Sequence, residues 1–377
     1  MSRLKYALIG CGKVAVKHLR AALDQRRELE IAALVDTRPE AADSLIRSCK
    51  IPAAVRAKIR IYTDYQAMLD EIRPDLVAIT TPSGSHFAVA GAAIAAGAHV
   101  LVEKPLTLSL AQADELLAQA ASRGVRIAVG HIYRFFPIVQ AIQADLQAGR
   151  LGRILQGEVI VRWGHAQSYY DQAAWRGTWA EDGGVLMNQS IHALDLMTWL
   201  LGSPVSRVSG WIGRQSHRME AEDIGLAILE LENGCCCQVS GTTSTDPQRQ
   251  EARFTIIGSE GEIRCGILRG KPVLEIRDRQ GHNLTRGYVA RFLRETLRQG
   301  GLSALLRMKN PHSGLYGDLI RAIRETRAPL ADGRSGRDAV ELVLAIYQSA
   351  KLGHPVRLPI ESFTLQDMRD YFPPFSS

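Results

Sequence analysis

The chain of 377 residues predicts an α/β fold in two parts. The first is a doubly wound parallel sheet, and the second an α+β domain with a large, mostly antiparallel sheet. Three observations carry this. Short apolar runs alternate with helical patterns up to about residue 130, the rhythm of a parallel sheet with crossover helices. Beyond that point strand-like runs follow one another without intervening helices, which points to antiparallel pairing. The first strand also ends in a glycine turn that opens directly into a helix.

The first apolar run, Tyr6 to Ile9, stops at Gly10, and a helical pattern carrying Val14, Ala15, Leu19 and Leu23 begins after Gly12. The spacing Gly10-x-Gly12-x-x-Ala15 has the form of a dinucleotide fingerprint. Gly10 permits the tight turn, and Gly12 lets the backbone approach a pyrophosphate. Ala15 lets the helix lie close on the strand. Cys11, Lys13 and Val14 complete the loop that would face the phosphates at the helix N-terminus. The second run, Ile31 to Val35, ends in Asp36, 24 residues beyond Gly12, where a carboxylate accepts from an adenosine ribose. Thr37 and Arg38 follow it. The carboxylate favours NAD, and Arg38 keeps NADP as the alternative.

A helix near 39–48 comes next, then a basic irregular stretch around Pro52. A helix over 63–72 is capped by Asp64, and a strand over 75–80 closes at Thr81-Pro82. An alanine-rich helix over 85–96 stops at Gly97. A strand over 99–103 follows, then a helix from Ser109 to Arg123 and a strand over 125–129. In the second part, residues 154–163 read as a strand, and 222–231 with 235–243 as a hairpin around Asn233-Gly234. Strands over 252–257, 261–267 and 272–277 precede three helices near 287–299, 313–325 and 336–352. The domains are therefore placed at 1–130 and 131–377.

Composition excludes several classes. With 46% hydrophobic and 23% charged residues the chain is ordinary for a globular protein. No apolar run reaches a membrane span of ~18 residues, and no leader pattern is seen, so a cytoplasmic protein without a membrane partner is expected. The formal charge of +7 is spread along the chain without a nucleic-acid module; an anionic small-molecule substrate accounts for it as well. Cys235, Cys236 and Cys237 are contiguous in a strand, where neighbours point to opposite faces. They read as small buried hydrophobes, and no metal site is expected.

Three stretches fall at the carboxyl ends of the parallel strands, where such a sheet carries its ligand: Thr80, Thr81, Pro82, Ser85 and His86; Glu103, Lys104 and Pro105; and Gly130, His131 and Arg134. Pro105 removes a backbone donor and holds Lys104 extended. A fourth stretch, 182–202, reads as a glycine-flanked helix of three to four turns. Asn188, His192 and Asp195, at i, i+4 and i+7, would share one face as a polar ridge lining a cleft.

These motifs, in this order, resemble the Gfo/Idh/MocA oxidoreductases, the sugar and inositol dehydrogenases related to glucose-fructose oxidoreductase. The resemblance rests on Gly10-Cys11-Gly12 with His18, Thr81-Pro82 with His86, Glu103-Lys104-Pro105, Arg134-Phe135, and Gly183-Gly184 through His192 to Asp195. It implies an N-terminal Rossmann domain binding NAD(P). It also implies a C-terminal domain whose open sheet forms a homodimer or homotetramer face, with the active site between the two. Lys104 matches the family's catalytic lysine and His192 its catalytic histidine. Asn188 stands where an aspartate is frequent, and His131 where a tyrosine is common. An asparagine accepts no proton at neutral pH, so His192 is expected as base. Lys104 would then polarise the substrate oxygen, and Asn188, Arg134, His131, Asp195 and Trp175 would bind substrate. The segment Trp175 to Trp179 leading into His192 is similar to the branch that oxidises the 3-hydroxyl of nucleotide-linked amino-sugar acids. An inositol or aldose dehydrogenase, or a non-catalytic NAD-binding sugar sensor, are the alternatives.

Overall fold

The computed structural model describes residues 2–307 and 310–374. In chain order the elements are β1 (Leu4–Ile9), α1 (Ala15–Asp24), β2 (Leu29–Val35), α2 (Pro39–Cys49), α3 (Ala53–Arg56), β3 (Arg60–Tyr62), α4 (Tyr65–Ile72), β4 (Leu76–Ile79), α5 (His86–Ala95), β5 (His99–Val102), α6 (Leu110–Arg123) and β6 (Ile127–Val129). There follow α7 (Pro137–Gln147), β7 (Ile154–Arg162), α8 (Gln167–Asp171), α9 (Ile191–Leu201), β8 (Val205–Gly213), β9 (Ile224–Leu231), β10 (Cys236–Thr242), β11 (Glu251–Gly258), β12 (Gly261–Leu268), β13 (Lys271–Asp278), α10 (Thr285–Arg307), α11 (Pro311–Arg324), α12 (Gly333–Leu352) and β14 (Val356–Arg357). The chain divides into two compact units, one of residues 1–136 with 307–337 and the other of 137–306 with 338–377. No helix among the described residues is long and apolar enough to cross a membrane.

The first unit is a six-stranded parallel sheet in the order β3-β2-β1-β4-β5-β6. Successive residues of a strand point to opposite faces, and β1 shows it. Tyr6 and Leu8 join a core with α1, α2 and α11, while Ala7 and Ile9 join one with α4, α5 and α6. Local chemistry sets the helix ends: Asp64 accepts from the Gln66 and Ala67 amides as N-cap of α4, and Ser109 from Gln112 at the start of α6. α11 belongs to this unit, although the sequence reading grouped it with the C-terminal strands. Leu315, Tyr316 and Leu319 fill the layer beside α1, a docking with no local signature.

The second unit holds an eight-stranded sheet in the order β13-β12-β11-β7-β10-β9-β8-β14. Its pairs are antiparallel except β7 with β10. β9 and β10 are joined at Gly234, whose φ of +80° only glycine adopts without strain. β8 has no counterpart in the sequence reading, because its Ser, Arg and Gly residues lack a β pattern. α9 packs on the sheet through Met197 and Leu201, which would meet a side chain at Gly157 at 3.1–3.2 Å. The three cysteines alternate as a strand requires, but Cys236 is exposed, so only Cys235 and Cys237 are buried.

Candidate active site

In the first unit the glycine turn has the geometry a dinucleotide needs. Gly10 has φ +91°, and a Cβ there would lie 2.8 Å from the Thr80 and Thr81 backbone. Gly12 has nothing within 4 Å of where its Cβ would be, so a phosphate can approach the backbone. α1 starts without a side-chain cap and without an acidic residue in its first turn, leaving its first N–H groups for an anion. Asp36, at the end of β2, is anchored on both oxygens, by the Cys11 amide at 2.8 Å and the Arg38 amide at 3.0 Å. Each oxygen keeps a lone pair for a ribose diol. Beside it a groove of about 390 Å³ is lined by Cys11, Gly12, Lys13, Arg38, Ser44 and Ser48, among others. The Cys11 thiol is pushed up to about 12 by burial and by the Asp36 charge, so it stays protonated. Val14 is half-buried and Thr37 exposed. These residues fit NAD.

The next two loops are tied to that turn and to each other. The Thr80 hydroxyl donates to the Gly10 carbonyl at 2.5 Å, and Ser85 Oγ lies 2.8 Å from both Thr81 Oγ1 and the Pro82 carbonyl. His86 is buried, with Nδ1 2.7 Å from the Pro105 carbonyl and Nε2 3.0 Å from that of Thr81. Burial holds its pKa down. His86 thus clamps the Thr81 loop to the Lys104-Pro105 loop, whose peptide bond is cis.

Glu103 is turned inward. Its Oε1 lies 2.8 Å from His18 Nε2, and its Oε2 accepts from the Lys104 amide at 3.2 Å. His18 Nδ1 is 3.1 Å from the Tyr316 hydroxyl, which is 2.8 Å from that of Tyr6. His312 completes a buried cluster with His18 and Glu103 whose ligand-type atoms lie within 4.8 Å of one another. Both ring nitrogens of His18 face a hydrogen-bond partner, while His312 Nδ1 is buried with none among the described residues. His131 is fully buried, and Arg134, nearly so, donates to the Leu330 carbonyl at 2.9 Å. Of the Glu103-Lys104-Pro105 motif, Lys104 alone keeps partial exposure.

In the second unit the fourth stretch departs from the expected straight helix. Leu186–Ser190 is a π-helical turn, and regular α winding begins only at Ile191. Such turns interrupt helices at functional positions more often than elsewhere. Asn188 and His192 remain partly exposed, whereas Asp195 is only 2% exposed. The expected ridge of three is therefore two half-exposed groups and one buried carboxylate: Asp195, three residues after His192 in the regular part of α9, turns into the core rather than lining a cleft. Asn188 Nδ2 donates to Asp182 Oδ1, and its Oδ1 accepts from Gln189 Nε2 at 2.9 Å. Gln189 reaches His165 at 3.2 Å, and His165 stacks on Tyr169 with centroids 3.8 Å apart. Arg176 lies over Tyr169 at 4.2 Å and over the half-buried Trp175 at 5.4 Å. His165, Tyr169, Arg176 and Asp182 were assigned no role from sequence. Their signal, aromatic and polar residues in the loops before the glycine pair, is too common to single out.

A parallel sheet whose first crossover carries a phosphate-ready glycine turn and a ribose-ready carboxylate defines an NAD-binding dehydrogenase class of fold. Comparison narrows it. Residues 4–131 match the family model described as "Oxidoreductase family, NAD-binding Rossmann fold", and 139–264 match that of the GFO/IDH/MocA C-terminal domain. The chain is 30% identical to the UDP-N-acetylglucosamine 3-dehydrogenase of Acidithiobacillus ferrooxidans over 64% of its own length and 68% of that protein. It is 28% identical to the D-apiose dehydrogenase of Paraburkholderia graminis over 95% and 90%. The structure of the WlbA dehydrogenase from Bordetella pertussis, in complex with NADH and UDP-GlcNAcA, superposes with a TM-score of 0.81 at 30% identity, covering 95% of this chain and 99% of that one. The chain belongs to the Gfo/Idh/MocA family of NAD-binding oxidoreductases.

Proposed function

We propose that this enzyme oxidises a secondary hydroxyl of a sugar derivative, with Lys104 and His192 as its catalytic residues. The observation that carries the assignment is the state of Lys104. In a loop where Glu103, Pro105 and His86 are buried, the lysine at the end of β5 keeps a partly exposed side chain. A strand end of this kind is where a doubly wound sheet presents groups to its ligand.

Bound NAD supplies the hydride acceptor. His192 takes the hydroxyl proton, a task suited to imidazole, whose ordinary range brackets neutral pH. The Lys104 ammonium stabilises the charge that develops on the oxygen, an effect worth several kcal/mol where water is excluded. Asn188 orients the substrate through its amide while Asp182 and Gln189 hold that amide in place. The residues are compatible with an anionic, nucleotide-linked amino-sugar acid oxidised at C3. Arg176 stacked on Tyr169 and Trp175 offers a flat cationic surface for a carboxylate or a base, and the WlbA and 3-dehydrogenase likenesses support the same substrate class.

The test is a panel of UDP-linked 2-acetamido sugars with and without a 6-carboxylate, inositols and aldoses, each offered with NAD and with NADP while cofactor reduction is followed. Turnover of the uronate with NAD is expected. Lys104→Ala and His192→Ala should each lower kcat about a hundredfold or more with NAD affinity nearly unchanged. NAD binding with no substrate oxidised would replace the enzyme by a sensor. Full activity in both variants would remove the proposed site.

We also propose that the outer face of the eight-stranded sheet pairs with a second copy. Trp211, Leu226 and Ile228 are 42–49% exposed, and Trp211 is the register partner of Leu226, so the three form one apolar patch. Exposed patches of this kind mark interaction surfaces. Sedimentation should show a dimer or tetramer that Trp211→Glu with Leu226→Glu converts to monomer; an unchanged oligomer would refute the assignment.

A further inference from the structure

The turn that leads into α9 lacks a local cap. Val185 stands at its N-cap position and offers no side-chain acceptor, yet the first N–H groups of a helix need partners outside their own turn. Two buried residues remote in sequence provide them. Glu222 Oε1 accepts from the Leu186 amide at 2.9 Å, and the Glu222 carbonyl accepts from the Val185 amide at 3.0 Å. The Tyr347 hydroxyl, from α12, donates to Glu222 Oε1 at 2.8 Å and lies against the backbone amides of Gly184 and Met187.

The seat around this cap is cut by glycines. A Cβ at Gly184 would lie 2.0 Å from the Glu222 carbonyl and 2.2 Å from its Oε2. On the sheet, Gly225 and Gly241 are register partners. A Cβ on the first would stand 2.5 Å from Leu186 Cγ, and on the second 2.4 Å from Ser190 Oγ. The π turn therefore rests on a hollow of the sheet and is closed at its start by one carboxyl and one phenol.

We propose that Glu222 and Tyr347 are positioning residues whose buried cap holds the π turn at Leu186–Ser190, and through it sets the orientation of Asn188 relative to His192. The functional part rests on the assignment of His192 as base. A turn that relaxed to ordinary α winding would rotate the residues of the π turn and those before it about the helix axis relative to α9. Asn188 and His192 would then take the spacing of an ordinary i, i+4 pair, and the angle and rise between the two side chains that the π turn sets would be lost.

Burial and the cap's own hydrogen bonds act on the Glu222 carboxyl in opposite directions: burial favours the protonated form, the Leu186 amide and the Tyr347 hydroxyl the carboxylate, and burial outweighs them. Glu222 is fully buried, its Oε2 has no hydrogen-bond partner among the described residues, and burial raises its pKa to about 8. The titratable groups acting on it are Tyr347 and Asp223, and neither brings a positive charge. Burial acts to raise Asp223 as well. The His217 ring and the Gln215, Ser216 and His217 amides outweigh it and hold Asp223 at about 2, so this neighbour is an anion.

The experiment compares Glu222→Gln, Glu222→Leu and Tyr347→Phe in the full chain. Three readouts are taken: kcat against pH, NAD affinity, and hydrogen exchange at the Leu186 and Met187 amides. Glu222→Leu and Tyr347→Phe are expected to speed exchange at those amides and lower kcat about tenfold or more at unchanged NAD affinity. Glu222→Gln keeps the acceptor, so it should retain kcat and slow exchange at Leu186 near pH 7. Tyr347→Phe removes a single oxygen and carries the test if Glu222→Leu does not fold. Unaltered exchange at Leu186 and Met187 in Tyr347→Phe, or a Glu222→Gln as impaired at pH 7 as Glu222→Leu, would overturn the cap. An active His192→Ala would remove the catalytic assignment alone, since the exchange data judge the cap independently.

Discussion

Glu103 and Glu222 are both buried carboxyls packed against a glycine, one in each unit, and they are held by opposite means. Glu103 keeps 8% exposure, faces His18 at 2.8 Å and accepts from the Lys104 amide. Glu222 has no exposure and no cation; its partners are a phenol and backbone amides. Removing a carboxylate from water costs several kcal/mol unless a charge or hydrogen bonds compensate. The first unit meets that cost with an imidazole partner. The second meets it by keeping the proton on, which makes its stability depend on pH from the alkaline side.

The largest separation of the two arrangements comes from filling the glycine in the second. Gly184→Ala would drive a methyl to 2.0 Å from a backbone carbonyl, and no rotamer change relieves a contact with backbone. Overpacking of this kind costs about 3 kcal/mol, the upper part of its usual range. Chemical denaturation should show that loss, with turnover falling as the π turn is displaced. A Gly184→Ala protein with parent stability and kcat would mean that Glu222 does not occupy the place described for it.

A second contrast is the direction in which pH acts. Glu222 titrates near 4.5 when unfolded and near 8 when folded. Between those values the folded state holds a proton that the unfolded state has released, so stability falls as pH rises. His312, buried at 2% beside His18, is lowered from 6.5 to about 3 by burial first and by the His18 charge second. Between 6.5 and 3 the unfolded state holds the extra proton, so stability falls as pH drops. Each slope amounts to about 2 kcal/mol over 1.5 pH units. Glu222→Gln should flatten the decline from pH 6.5 to 8, and His312→Asn that from pH 6.5 to 5, in unfolding curves recorded against the parent. If both variants track the parent at every pH, these two groups do not carry the linkage.

Much of this was legible in the residues. Gly10, Asp36, the Asp64 and Ser109 caps and the Asn233-Gly234 hairpin announce themselves, because backbone sterics and local hydrogen bonds leave little choice at those positions. What stayed hidden is non-local. Tyr316 reaches Tyr6 and His18 across some 300 residues of chain, and nothing near residue 316 says that its helix belongs to the first sheet. The π turn is invisible for another reason. Its residues are apolar or polar in an order that suits 3.6 residues per turn equally well, and the groups that impose the wider winding, Glu222 and Tyr347, lie far away in sequence. In the Glu103-Lys104-Pro105 motif the sequence marked the lysine, while the inward turn of Glu103 toward His18 shows only in three dimensions.

The finest distinction lies at Gly130, the counterpart of Gly184. The atoms nearest to a Cβ there are those of the Glu103 carboxyl, at 3.0–3.2 Å. That is a contact with the end of a side chain, so a shift of a few tenths of an ångström relieves it. Glu103 is not free to make that shift at no cost, since His18 and the Lys104 amide hold its two oxygens. Gly130→Ala should therefore lower stability by about 1 kcal/mol, the lower part of the overpacking range, and raise KM or lower kcat by a few-fold as the Lys104 loop yields. His18→Asn in the same background loosens one of the two holds, so the cost of the added methyl should shrink. A double-mutant cycle measures that coupling directly. Additivity of the two changes would show that Glu103 moves independently of His18, and the contrast between a pinned carboxylate in one unit and a protonated one in the other would be lost.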